Sequence, residues 1–107
     1  MKRTSVKINK YAWDKVKKRS KKKFYNLLDD FLSEYDYDPD AILRTIRPYL
    51  KKEIPFYAKT TTIVLPPLYI RFLKGLAAMA NTTLSDIVDA IIQKIRFDIE
   101  REEYMGV

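Results

Sequence analysis

The side chains with chemistry to offer in this 107-residue chain are cations, and they are unevenly spread. Residues 1–23 hold eleven Lys/Arg against the single acid Asp14, whereas residues 24–40 hold six acids and no base. Residues 41–59 return to five bases against Glu53, and the formal net charge is +7. Ammonium and guanidinium groups gathered in one segment suit a surface that neutralises phosphates. A Lys run is equally the pattern of a solvated face, so the charge needs a second signal beside it.

Other chemistries lack their groups. Without Cys there is no disulfide, no thiolate nucleophile and no Cys-based zinc site; without His the commonest general base and metal ligand are missing. Asp36, Asp38 and Asp40 open like a calcium-binding loop, but its sixth position is Ala41 and its twelfth Arg47. Those aspartates are therefore expected in turns and helix caps. The two glycines, Gly75 and Gly106, form no phosphate-cradling loop. Trp13 and the eight tyrosines are candidates for stacking on single-stranded bases, yet helical spacing assigns Trp13 to an apolar face. The expectation is a non-enzyme with no cofactor and no metal.

The second signal lies in the elements that must position the cations. Thr61-Thr-Ile-Val-Leu65 alternates, which sets Ile63 and Leu65 on one face of a strand and Thr60, Thr62 and Val64 on the other. Pro66-Pro67 ends it and opens a helix with a stripe of Tyr69, Ile70, Leu73, Leu76, Ala77 and Ala80. Gly75 in that helix offers room for a close helix approach. Asn81 suits a left-handed stop, and Thr83 or Ser85 a cap for a second helix bearing Ile87, Val88, Ile91, Ile92 and Ile95. Past Ile95 that helix reads as mostly solvated, fraying before Gly106.

Residues 4–35 repeat the plan loosely. Val6 and Ile8 face one way, Arg3, Ser5 and Lys7 the other, and Asn9 can cap a helix with Ala12, Trp13 and Val16. Phe24, Leu27, Leu28, Phe31, Leu32 and Tyr35 mark a further helix, after a turn expected to be about three residues shorter than its counterpart. The division is thus residues 1–35, a linker over 36–59 with a short helix at Ala41–Lys51 capped by Asp38 or Asp40, and residues 60–104. Pro48 is expected to kink or shorten that helix. A lone strand cannot satisfy its own backbone, so the two strands must pair, within the chain or across a dimer. The fold class expected is mainly α with a short antiparallel β-ribbon.

This strand-helix-helix pattern, at residues 60–95 and more loosely at 3–35, resembles the ribbon-helix-helix DNA-binding superfamily, which includes the Met and Arc repressors. Tandem copies are similar to regulators of viruses of hyperthermophilic archaea. The resemblance implies a transcription regulator whose ribbon reads base edges in the major groove of double-stranded DNA. Carried over, the base readers would be Arg3, Ser5, Lys7, Thr60, Thr62 and Val64. Arg and Lys can donate to guanine O6 and N7, the hydroxyls can donate or accept, and Val or Thr methyls can meet the thymine methyl. Phosphate would sit at the start of the second helix of each copy, on Thr83, Leu84 and Ser85 in one and on the point charges of Lys21, Lys22 and Lys23 in the other.

Partners expected are double-stranded DNA and a homodimer or higher assembly upon it. An antitoxin-like interaction module and a generic basic nucleic-acid binder are the competing readings. No apolar run reaches the roughly 18 residues of a membrane span. No apolar segment of a signal peptide follows Met1-Lys-Arg, so the expected location is cytoplasmic, in the host if the protein is viral.

Overall fold

Two six-residue strands, β1 (Thr4–Asn9) and β2 (Thr60–Leu65), realise the period-two alternation, and they pair antiparallel with Val6 opposite Ile63. The computed structural model describes residues 4–50 and 59–104. Pairing within the chain decides between the two arrangements open to the sequence: one molecule completes its own ribbon. Val6, Ile8, Ile63 and Leu65 are buried, while Ser5, Lys7, Thr60, Thr62 and Val64 are exposed. A slip of one residue would turn every one of these side chains over, so burial of the inner face pins the register.

Each strand runs directly into a helix. The Asn9 side chain accepts the Ala12 N–H at 3.1 Å and caps α1 (Lys10–Ser20), whose inner face is Ala12, Trp13 and Val16. After β2, Pro66 and Pro67 open α4 (Pro67–Met79), with Ile70, Leu73, Leu76 and Ala77 buried. It closes at Asn81, φ 54°, where the Thr82 N–H reaches the Ala77 carbonyl at 2.9 Å and the Asn81 N–H the Ala78 carbonyl at 3.3 Å. Those paired bonds satisfy carbonyls that a helix end otherwise leaves open. The room expected at Gly75 is not used for helix packing, since a Cβ there would meet nothing within 4 Å.

The helices that follow are α2 (Phe24–Glu34) and α5 (Leu84–Tyr104). The shortening expected of the first copy's turn is divided differently: α1 has 11 residues against 13 in α4, and only one residue is missing from the turn itself. The cause lies in the residues after Val16, where α4 goes on burying Leu76 and Ala77 but α1 has Lys17, Lys18 and Arg19. Lys21 stops α1 at φ 61°, its N–H donating to the Lys17 carbonyl at 3.1 Å.

Between α2 and β2, α3 (Pro39–Leu50) starts where Asp38 accepts the Asp40 N–H at 3.0 Å. It continues to Leu50, just past Pro48. A proline in the last turn removes a single helical hydrogen bond, a small loss beside a face that buries Ile42, Leu43 and Ile46. That face packs on α5, with the Tyr49 and Phe97 rings 6.3 Å apart. Past Ile95 no described residue of α5 is buried, and most are exposed as expected, although Ile99 still packs against the core. Ile95 and Ile99 lie against the core, Arg96 through Glu100 are half-buried apart from Phe97, and only Arg101–Tyr104 are fully exposed in turn. All seven described elements feed one buried cluster, and no helix among the described residues is long and apolar enough to cross a membrane.

The two halves share the order strand, helix, helix, and their apolar residues align by spacing, but α5 packs on β1, α1, α3 and α4 while α2 approaches no other element as closely. Phe24, Leu27, Leu28, Phe31 and Leu32 of α2 take the places of Leu84, Ile87, Val88, Ile91 and Ile92 of α5, which makes Asp29 the counterpart of Asp89. Their surroundings differ for a covalent reason. The Lys10 N–H continues the ladder to the Lys59 carbonyl at 3.1 Å, so strand alternation turns the Asn9 N–H outward, where Asp89 Oδ1 accepts it at 2.9 Å. In the other half Asn9 corresponds to Pro66, which has no N–H. Asp29 instead accepts the hydroxyl of Tyr37, whose pKa is raised by that bond; burial and the same carboxylate raise that of Tyr69.

Burial raises the pKa of the Asp89 carboxyl, against the lowering effect of the Asn9 N–H. The folded protein therefore holds its proton to higher pH than the unfolded chain does, and stability falls as pH climbs from the ordinary aspartate value, about 3.9, through the raised one. Asp89→Asn keeps an acceptor and removes the charge. Denaturant titrations should find it as stable as the parent at low pH and more stable at pH 7. Asp89→Ala leaves the Asn9 N–H unpaired and should lose about 1–3 kcal/mol at any pH. An Asn variant weaker than the parent at pH 7 would refute the assignment.

Candidate nucleic-acid interface

The ribbon's outer face is assembled from two segments more than fifty positions apart in the chain. On it Ser5 stands opposite Val64 and Lys7 opposite Thr62, with Thr60 at the far end beside Asn9. Those three pairs alternate with the hydrogen-bonded steps of the ladder, the spacing at which facing side chains come closest. Six residues of strand extend about 20 Å, and a two-stranded ribbon fits a B-DNA major groove about 12 Å wide. Five of the six expected base readers thus share one exposed surface; Arg3 lies outside the described residues.

The surface offers three kinds of contact. Lys7 has no carboxylate within ion-pair distance among the described residues, so its three donors are free. Ser5, Thr60 and Thr62 present hydroxyls that donate or accept. Val64 is an apolar side chain left 47% exposed on a polar face. Not one polar or charged side chain is fully buried among the described residues. Nor does any group of three carboxylates there stand ready for a metal; Asp38 is spent as the cap of α3.

The expected phosphate residues fall at the two helix starts, which differ in charge. At α2, Lys23 precedes the first turn without a side-chain cap, and that turn contains no acid. Lys21, Lys22 and Lys23 are all exposed; Lys22 pairs with Asp30 at 3.0 Å, Lys23 lies over the Tyr25 ring, and Lys21 has neither kind of partner among the described residues. At α5 the Thr83 hydroxyl accepts the Asp86 N–H at 3.1 Å, and the Thr82 hydroxyl donates to the Asp86 carboxylate at 2.5 Å. An acid already occupies that positive helix end, while Leu84 and Ser85 are half-buried. The α2 end is the more favourable of the two for an anion.

Two residues escaped the sequence reading. Lys59 is exposed at the end of the ribbon, signalled only by standing one residue before Thr60. Asp89 ties the ribbon's free edge to α5, and no local pattern marks it, because its partner Asn9 is 80 positions away. Comparison of the chain with protein-family models, curated proteins and solved structures finds no match.

Proposed function

We propose that this chain is a sequence-specific double-stranded DNA-binding transcription regulator of ribbon-helix-helix type, carrying both copies of the motif in one molecule. The observation that carries the reading is the ribbon itself. Its inner face is fully committed to the core, and its outer face sets a free ammonium, hydroxyls and an uncovered valine side by side. A solvated strand face has no need of that mixture, whereas base edges present matching acceptors, donors and methyls. The helical layers support the ribbon and carry cations to either side of it; Lys21, Lys22 and Lys23 hold phosphate. Residues 1–35 and 60–104 are the two copies, joined through residues 36–59. No catalytic role is assigned to any residue, and one chain suffices for one ribbon.

The test is a comparison of two affinities. In fluorescence anisotropy at near-physiological salt, Lys7→Ala should weaken binding to a duplex selected by the parent protein by about 1–3 kcal/mol more than binding to random duplex. Equal losses on the two would make Lys7 a phosphate contact. A parent protein that binds all duplexes alike would be a generic basic binder, the alternative that the Lys run by itself supports.

A further inference from the structure

The register makes the ribbon's symmetry explicit. Because Val6 lies opposite Ile63, a two-fold axis through that pair carries each residue of β1 onto one of β2: Ser5 onto Thr62, Lys7 onto Val64. The helices obey the same relation, since it also carries Trp13 onto Ile70 and Val16 onto Leu73, all four buried. The relation thus holds for the ribbon and for the starts of α1 and α4; it does not extend to the helices behind them, since α5 packs on β1, α1 and α4 while α2 approaches no other element as closely. A groove-reading surface with that symmetry meets two half-sites of a duplex in equivalent ways, and side-chain identity alone distinguishes them.

On the described outer face that identity differs sharply at one place. Ser5 and Thr62 are both small hydroxyls. Lys7 and Val64 are opposites: a cation with no carboxylate partner among the described residues, and an apolar branch 47% exposed. Asn9 and Pro66, the next equivalents outward, start helices, and the Asn9 side chain is taken up as a cap. Each member of the unlike pair lacks something a base edge provides. An ammonium among hydroxyls needs acceptors, which guanine O6 and N7 supply, and an uncovered valine needs an apolar partner, which the thymine methyl supplies.

We infer that the ribbon is polar and takes a non-palindromic duplex site, with a guanine facing Lys7 in one half and a thymine facing Val64 at the equivalent position of the other. This rests on the groove-reading function proposed above. It adds that the Lys7 and Val64 positions help set the orientation of the protein on DNA, and that a single substitution makes the two half-sites alike at that position.

Selection from a random duplex pool, run in parallel on the parent protein, Lys7→Val, Val64→Lys and the double exchange, tests it. The parent should enrich a site with unlike bases at the two equivalent positions. Lys7→Val should give thymine at both and Val64→Lys guanine at both, while the double exchange restores the unlike pair. In competition titrations the Lys7→Val protein should lose roughly tenfold or more of its preference for guanine in that half. Both positions of substitution are exposed, so melting curves should coincide with the parent and show the fold intact. Sequence enrichment with identical bases in the parent's two halves, or single variants whose halves stay unlike, overturns the polarity while groove reading stands. Binding without enrichment by the parent removes groove reading and the polarity with it.

Discussion

Trp13→Ala is expected to remove about 3–5 kcal/mol of stability, the range for deleting a large buried aromatic. Trp13 is the chain's one tryptophan; it is 9% exposed and meets Phe24 edge-on with ring centroids 5.3 Å apart. It therefore joins α1, which follows directly on the ribbon, to the start of α2, where the lysine cluster sits. Against a total stability of about 5–15 kcal/mol for a domain of this kind, the loss leaves a large unfolded fraction on warming. Denaturant unfolding followed by far-ultraviolet circular dichroism reads it, since the variant has no tryptophan left to fluoresce. Trp13→Phe should lose distinctly less because it keeps a ring against Phe24. A loss under about 1 kcal/mol for the alanine variant would show that the ring stacks on something outside the core instead.

Joint replacement of Lys21, Lys22 and Lys23 by alanine is expected to change salt dependence rather than sequence preference. Each phosphate contact contributes about 0.9 to the slope of log affinity against log salt on B-form DNA, so the slope should become shallower by about 2–3. Lys22 already holds Asp30 at 3.0 Å, so most of the change should come from Lys21 and Lys23. Affinity should fall for selected and random duplexes alike, because these side chains lie at a helix start and not on the ribbon face. The contrast with Lys7→Ala, which should discriminate between the two duplexes, separates anchoring from reading. A slope identical to that of the parent would place the three lysines away from the phosphates.

How much of this was legible beforehand follows from the range of the signals. The inner residues Val6, Ile8, Ile63 and Leu65 and the outer Ser5, Lys7, Thr62 and Val64 are assigned correctly by alternation alone. So are the apolar faces of α1, α2, α4 and α5, the Asn9 cap, the Asn81 stop and the Thr83 cap. Errors came where a local rule met the packing of the helices. The turn after α1 reads as about three residues shorter than its counterpart, yet only one residue is missing there, because α1 itself ends early where α4 goes on burying Leu76 and Ala77. Gly75 reads as room for a close helix approach, yet a Cβ there would meet nothing within 4 Å.

By itself the sequence determined which way each side chain faces along its own element, which residues cap α1 and stop α4, and where the positive charge gathers. Those are properties of period 2, of period 3.6 and of single capping residues, all settled within a few positions of chain. Tertiary structure alone decided that β1 pairs with β2 of the same molecule, that Ser5 meets Val64 and Lys7 meets Thr62, and that Asp89 closes the ribbon's edge at Asn9. An exposed strand edge is complementary to any other strand, so its partner is chosen by which apolar faces can be buried together. Here that choice is made by helices packing across the whole length of the chain, α1 and α3 both lying on α5.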